Sequence, residues 1–135
     1  MRLALVVARF NEAITLKMRD LALKRAEEKG AEVVSVVEVP GTMEVPLAVD
    51  RLLASEDIDG VVALGAVVQG ETRHDEVILH AVATEIARLS VAHRKPVGFG
   101  ITGPGMTWEQ ALARVDYAVR AVDAALHMYG LLKAR

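Results

Sequence analysis

Apolar and polar positions along the chain form four aliphatic runs separated by four helical patterns. The runs are short and continuous, which is typical of strands buried on both faces of a parallel sheet. The segments between them repeat apolar residues at the spacing of an amphipathic helix. The predicted strands are residues 3–7, 31–39, 60–68 and 96–101, and the predicted helices are about 14–29, 44–55, 75–93 and 107–132.

Strand–helix alternation with short connections predicts parallel strands joined by right-handed crossovers. Because such a sheet must be covered on both faces, the expected fold is α/β: a three-layer α/β/α sandwich with a four-stranded parallel sheet, of flavodoxin-like type. No Ser- or Gly-rich linker, repeat or low-complexity segment interrupts the chain. Residues 1–135 are therefore expected to form one domain.

The composition narrows the classes of function. Hydrophobic residues make up 53% of the chain and aromatic residues only 4%, so the core must be mainly aliphatic. The net charge of −2 gives no electrostatic reason to expect nucleic acid or an anionic membrane as a partner. The absence of cysteine excludes disulfides and thiolate metal sites, and it fits a reducing compartment.

The first nine residues combine positive charge with an apolar run, as a signal peptide does. The run is only six residues long and a charged helical segment follows it, so a buried strand explains it better. No apolar stretch approaches the ~18 residues that cross a bilayer. A cytoplasmic location is therefore expected.

Ligands of open parallel sheets bind at the carboxyl ends of the strands, which points to the loops that follow the four predicted strands. In the loop after the third strand, Gly70 allows close approach of a ligand, and Thr72 is a candidate N-cap with Asp75 in a capping-box position. The free N–H groups of a helix start there form an anion site, with an ordinary capped helix as the alternative. His74 lies in the first turn, where an imidazolium is disfavoured. It is a candidate proton acceptor or a solvated surface histidine.

The two phenylalanines fall at informative places. Phe10 lies where the first strand gives way to a loop, so it either stacks on a planar ligand or packs in the core. Phe99 stands between Gly98 and Gly100, so it either faces a ligand or subunit surface or packs against backbone.

Glu44 and Arg114 are charged residues near the other loops. Glu44 either accepts hydrogen bonds from ligand hydroxyls or complements a helix dipole. On spacing alone, Arg114 is interpreted as one arm of a surface pair involving Glu109. No His/Asp/Glu spacing suggests a metal site, and three further histidines are interpreted as structural or exposed: His80, His93 and His127.

Four segments of the chain carry landmarks in a fixed order and spacing. They are Ala8-Arg9-Phe10-Asn11, Val39-Pro40-Gly41-Thr42-Met43-Glu44-Val45-Pro46, Gly65-Ala66-Val67-Val68-Gln69-Gly70-Glu71-Thr72-Arg73-His74, and Pro96-Val97-Gly98-Phe99-Gly100 followed by Glu109-Gln110-Ala111-Leu112-Ala113-Arg114. Together, over about residues 3–114, they resemble the lumazine synthase family.

The resemblance implies the lumazine synthase fold and a reaction without metal or organic cofactor. The family condenses 5-amino-6-ribitylaminouracil with 3,4-dihydroxy-2-butanone 4-phosphate to 6,7-dimethyl-8-ribityllumazine in riboflavin biosynthesis. The resemblance implies His74 as the proton-transfer residue. It implies substrate contacts from Phe10, Asn11, Thr42, Met43, Glu44, Val67, Val68 and Phe99, and phosphate contacts from Gly70, Glu71, Thr72 and Arg114.

The resemblance also implies a homo-oligomer with sites between subunits, in which a neighbour supplies Phe99 and Arg114. Riboflavin synthase is a candidate partner. The family's N-terminal extension is missing, and residues 115–120 replace its usual lysine- and glycine-containing stretch, so a pentamer or decamer is expected rather than a larger shell.

Further departures from the family pattern are Gln69 in place of an arginine, a helix start without aromatic residues at 75–78, and Gly103-Pro104-Gly105 in place of a Thr-rich turn. Two alternatives accompany the enzyme hypothesis. One is a diverged relative that binds lumazine or flavin without catalysis. The other is an unrelated flavodoxin-like nucleotide module, which is disfavoured because the loops carry no Gly-x-Gly-x-x-Gly or Walker pattern.

Overall fold

A computed structural model describes residues 1–134 and confirms the α/β fold, with a four-stranded all-parallel sheet in the order β2-β1-β3-β4. The strands are β1 (Arg2–Ala8), β2 (Glu32–Val39), β3 (Gly60–Val68) and β4 (Val97–Met106). The helices are α1 (Glu12–Glu28), α2 (Val45–Leu53), α3 (His74–His93), α4 (Trp108–Leu112) and α5 (Tyr117–Lys133), with a 3-10 turn at Thr42–Glu44.

Two hydrophobic cores lie on opposite faces of the sheet. On one face, Ala4 and Val6 of β1 pack with α2 and α3. On the other, Leu3, Leu5 and Val7 pack with α1 and α5. This alternation along β1 makes the three layers of the predicted sandwich, because successive strand residues point to opposite faces.

The edge strand β2 is less buried than its apolar sequence suggests. Its residues alternate between exposed and half-buried, and Val34 and Val36 are each 41% exposed. The interior strand β3, by contrast, is buried almost throughout and has the predicted bounds. The difference in burial between β2 and β3 follows from their positions at the edge and in the interior of the sheet, which composition does not encode.

Two glycines of β4 bring α5 close to the sheet. A Cβ at Gly98 would overlap the carbonyl oxygen of Ala121 in α5, and one at Gly100 would lie 3.1 Å from the Ala121 Cβ. Phe99 between them therefore projects to the opposite face. Gly98 and Gly100 are needed for their small volume, not for flexibility.

The region after β4 differs from the prediction in two ways. The Gly103-Pro104-Gly105 segment, expected to be a turn after the fourth strand, lies inside β4, which continues to Met106. The predicted single helix over 107–132 is divided into α4 and α5 by turns at 113–116. No helix within residues 1–134 is long and apolar enough to cross a membrane.

Candidate functional site

A cleft of about 390 Å³ lies at the carboxyl ends of β1, β2 and β3, where the topology rule places ligands. Its volume is in the range of small-molecule sites. Three loops and the start of α3 surround it.

The loop after β1 forms the first wall. Phe10 lines the cleft with 72% of its surface exposed, so it does not pack in the core. Its N–H donates to the Pro40 carbonyl oxygen at 3.0 Å, which fixes the loop against the segment after β2. Asn11 has a left-handed backbone (φ 65°), and its side chain donates to the Ala66 carbonyl oxygen at 2.8 Å. An exposed aromatic ring on an anchored backbone is suited to stacking on a planar ligand.

The 3-10 turn after β2 forms the second wall. Thr42, the first residue of this turn, is buried. Its hydroxyl oxygen lies 3.4 Å from the position that a Cβ on Gly65 of β3 would occupy. Met43 and Glu44 line the cleft with exposed side chains. Within residues 1–134, the Glu44 carboxylate accepts no hydrogen bond, and it does not cap the turn. It is therefore available to ligand hydroxyls.

The end of β3 forms the floor. Ala66, Val67 and Val68 line it, and Ile78 of α3 adds a further apolar side chain. The predicted contacts Val67 and Val68 thus lie in the cleft. The floor suits the flat face of a ring.

The start of α3 forms the third wall, with Gly70, His74 and Asp75 lining the cleft. The predicted capping box is wrong here. Arg73 is the N-cap and its side chain makes no cap bond, while the Thr72 hydroxyl accepts the His74 N–H at 3.3 Å. Asp75 turns instead to the Gly105 N–H. A capping box does occur at the next helix, where Thr107 and Gln110 cap each other at the start of α4.

Two predicted phosphate ligands, Glu71 and Thr72, are exposed in the same loop but do not line the cleft. The first-turn N–H groups of α3 remain a natural anion site. Two arginines lie in the loops that form the first and third walls. Arg9 pairs with Glu12 at 2.6 Å and with Glu38 at 3.1 Å, and the hydrogen bond that it donates to the Glu12 carboxylate raises the pKa of Arg9. Arg73 is exposed and makes no ion pair within the part of the chain that the structure describes.

Phe99 and Arg114 lie outside the cleft. Phe99 is 39% exposed and borders a shallow groove between β4 and α3. Arg114 donates to the Gln110 carbonyl oxygen at 3.2 Å, so the expected pair with a glutamate is wrong. Within a single chain, neither Phe99 nor Arg114 joins the other predicted site residues in the cleft.

Four cleft residues were not among the predicted site residues: Gly41, Ala66, Asp75 and Ile78. Gly41 and Ala66 lie beside predicted residues in the same motifs, and Ile78 is one helical turn after His74. Asp75 directly follows His74, but its sequence position indicated only a helix cap. No group of three or more potential metal-ligating side chains occurs among the described residues.

The fold and the cleft together define an α/β protein with a cleft suited to a small, partly planar molecule that carries hydroxyl and anionic groups. Comparison with known proteins identifies the family. The family model of 6,7-dimethyl-8-ribityllumazine synthase matches residues 1–133. The chain therefore belongs to the 6,7-dimethyl-8-ribityllumazine synthase family, and the resemblance drawn from the four segments is confirmed.

Individual relatives agree along nearly the whole chain. The 6,7-dimethyl-8-ribityllumazine synthase of Methanopyrus kandleri is 52% identical over 132 residues, which are 98% of this chain and 94% of the relative. That of Methanocaldococcus jannaschii is 49% identical over 132 residues, again 98% of this chain and 94% of the relative. That of Metallosphaera sedula is 52% identical over 128 residues, 94% of this chain and 85% of the relative.

Proposed function

We propose that this chain condenses 5-amino-6-(D-ribitylamino)uracil with 3,4-dihydroxy-2-butanone 4-phosphate to give 6,7-dimethyl-8-ribityllumazine, phosphate and water, as a step of riboflavin biosynthesis. One observation carries the proposal: residues from three separate segments that match the family pattern line a single cleft in a chain of this family. No metal or organic cofactor is included in the proposal.

The uracil substrate is assigned to the walls formed by the first two loops. Phe10 stacks on the pyrimidine ring beside Asn11, over the apolar floor of Val67 and Val68. The ribityl hydroxyls meet Thr42, Met43 and Glu44. The Glu44 carboxylate, which has no hydrogen-bond partner within residues 1–134, accepts hydrogen bonds from them. The exposure of Phe10 and Glu44 supports this assignment.

The phosphate-bearing substrate is assigned to the start of α3. Gly70, Glu71 and Thr72 present backbone N–H groups to the phosphate, and the positive end of the helix dipole adds to the attraction. His74 takes part in proton transfer. Phosphate elimination requires removal of a proton from carbon, and a base lining the cleft supplies that step. Much of the remaining acceleration comes from holding the two substrates together.

The complete site includes Phe99 and Arg114 from a neighbouring copy of the chain. Their separation from the cleft within one chain supports this part of the proposal. A pentamer or decamer is the proposed assembly, and sedimentation of the purified protein would test it. The proposal includes riboflavin synthase as a partner and a cytoplasmic location, to be checked by co-sedimentation and cell fractionation.

The deciding experiment mixes the purified, assembled protein with both substrates and follows lumazine absorbance. Time-dependent lumazine formation that requires both substrates and releases phosphate is expected. A folded, assembled protein that binds both substrates and forms no lumazine would overturn the proposal in favour of a ligand-binding relative.

A further inference from the structure

A buried carboxylate connects the third wall of the cleft to β4. Asp75 is only 5% exposed, and its Oδ2 accepts the Gly105 N–H at 2.8 Å. The two residues are 30 positions apart, so the bond joins the first turn of α3 to the far end of β4. Asp75 also lines the cleft beside His74.

Gly105 reaches Asp75 because β4 bulges at this point. Ala66 pairs with Thr102 and Val68 pairs with Met106, so three residues of β4 oppose the single residue Val67 of β3. β-Bulges are common next to functional sites, where they bend the strand and leave backbone groups out of the ladder. Here the bulge turns the Gly105 N–H toward α3.

A second bond closes the same arrangement. The Gln69 N–H donates to the Met106 carbonyl oxygen at 2.7 Å. The segment between β3 and α3 is thus connected to β4 at both ends. Gln69 is its first residue, and Asp75 lies just after its last residue. Among the described residues, the exposed ones between Gln69 and Asp75, which carry the proposed phosphate contacts, make no hydrogen bond to a strand.

The chemistry of Asp75 suits an anchor. A buried carboxylate needs hydrogen-bond donors, and an N–H bonded to a charged acceptor is stronger than one bonded to a neutral acceptor. An acidic residue in the first turn is stabilised by the helix dipole. The carboxylate therefore stays in place at modest cost, although it lies beside an anion site.

We propose that Asp75 is a positioning residue, which holds His74 and the phosphate loop in the reactive geometry by accepting the Gly105 N–H. The inference rests on the proposed function of the cleft. Asp75 acts through its neighbours and takes no proton from the substrates. For this role, the presence of an acceptor oxygen at this position matters more than the charge of the side chain.

The test compares Asp75→Ala and Asp75→Asn, with Glu76→Ala as the matched control. Glu76 is the next acidic residue of the same turn, exposed and outside the cleft. Asp75→Ala should lower kcat about 10- to 100-fold, the scale of a misplaced reacting group. The Asn oxygen still accepts the Gly105 N–H, so Asp75→Asn should recover most of that loss. Glu76→Ala should turn over as the unchanged protein does.

Hydrogen exchange at the Gly105 amide gives a readout independent of turnover. The amide should be protected in the unchanged protein and in Asp75→Asn, and unprotected in Asp75→Ala. Turnover must follow this protection across the variants. A variant that loses one and keeps the other overturns the proposal, as does an Asp75→Ala protein that keeps both. If Asp75→Ala does not fold, Asp75→Leu replaces it, because leucine has a similar shape and no acceptor oxygen; it should lose both turnover and Gly105 protection, and keeping both overturns the proposal.

Failure of the proposed function has a different signature. In that case the unchanged protein makes no lumazine, whereas Gly105 protection and the affinity for inorganic phosphate are still measurable. Asp75→Ala should then weaken phosphate binding about tenfold relative to Asp75→Asn, because an unanchored loop must be ordered on binding. Equal affinities would overturn the positioning role.

Discussion

Asn11 donates its side-chain N–H to the carbonyl oxygen of Ala66 across 2.8 Å, which joins the loop after β1 to the end of β3. The backbone of Asn11 is left-handed, with φ 65°, a conformation that asparagine tolerates better than most residues. Asn11 therefore shapes the cleft in two ways, through its side-chain hydrogen bond and through its left-handed backbone conformation.

Substitution of Asn11 should separate these two contributions. Asn11→Gly removes the hydrogen bond but keeps the left-handed backbone free of strain, and it should cost about 1 kcal/mol of unfolding free energy. Asn11→Ala also places a Cβ in the left-handed region and should cost about 2 kcal/mol. Urea unfolding measures both. Arg94→Gly, at φ 55° and far from the cleft, is the control and should be neutral or slightly stabilising. Equal losses in the two Asn11 variants would contradict the backbone argument.

His74→Ala should lower kcat by about tenfold or more and leave substrate affinity nearly unchanged, because the residue serves proton transfer rather than binding. Steady-state kinetics with both substrates measures the split. His80→Ala is the matched control, since His80 is exposed on the same helix and does not line the cleft. An unchanged rate for His74→Ala would remove the residue from the mechanism.

Arg114→Ala should raise the KM for the phosphate-bearing substrate about tenfold, because it removes a charged partner of the phosphate. Arg51→Ala, on the exposed side of α2, should leave the KM unaltered. A loss of stability with unchanged KM would instead assign Arg114 a structural role through its bond to the Gln110 carbonyl.

Mixing the two impaired proteins tests whether the site spans two subunits. His74→Ala and Arg114→Ala chains, unfolded and refolded together, should show more activity than either variant has alone. Some interfaces then combine an intact His74 from one chain with an intact Arg114 from its neighbour. Activity no higher than the average of the two separate proteins would contradict a shared site.

The ion pair between α1 and α5 should make stability depend on pH in the acid range. Arg25 donates to both carboxylate oxygens of Asp123, at 2.8 and 3.0 Å, and this hydrogen bonding lowers the pKa of Asp123 in the folded protein. The pair therefore stabilises above the ordinary aspartate pKa of about 3.9, and the contribution is lost as the pH falls through the lowered value.

Asp123→Asn should accordingly lower the urea midpoint slightly at pH 7, and this difference should shrink as the pH falls below the ordinary aspartate pKa. The effect is small because the Asp123 side chain is 40% exposed and solvent screens the pair. Asp116→Asn, which removes an exposed aspartate without an ion partner in residues 1–134, is the control. A difference between Asp123→Asn and the unchanged protein that does not shrink in acid would contradict the assignment.

Gly98→Ala should destabilise the protein by about 2 kcal/mol or more, because the added methyl group overlaps the Ala121 carbonyl oxygen and pushes α5 from β4. Gly130→Ala tests the opposite case. Gly130 lies in α5 with nothing within 4 Å of an added Cβ, so alanine should stabilise by about 0.5–1 kcal/mol. Thermal unfolding distinguishes the two. Similar shifts at both sites would contradict the packing explanation.

Sequence patterns predicted the sheet well where burial and periodicity coincide. The interior strand β3 has the predicted bounds because its apolar run is complete and is ended by the polar Gln69. The break between α4 and α5 was missed because residues 113–116 contain neither Gly nor Pro. Tertiary packing sets that break, since α5 is drawn against β4 through the space left by Gly98.

The sequence predicted the part of the candidate site that follows directly from the order of strands and loops. Phe10, Glu44 and His74 follow strands that share one edge of the sheet, so topology alone brings them together. Asp75 was misinterpreted because its partner Gly105 is 30 residues away, across a bulge that the sequence does not announce. The roles assigned to Phe99 and Arg114 stay predictions, because they depend on a second copy of the chain.

The strand order β2-β1-β3-β4 has a consequence for how the protein is made. β1 and β2 are synthesised first and carry Phe10 and Glu44 at their ends, but the floor of the cleft belongs to β3. The pocket therefore does not form on the ribosome until β3 has emerged and paired with β1, and its third wall waits for α3 and the bulge of β4. A truncated chain lacks the complete site, so ligand recognition is reserved for finished molecules.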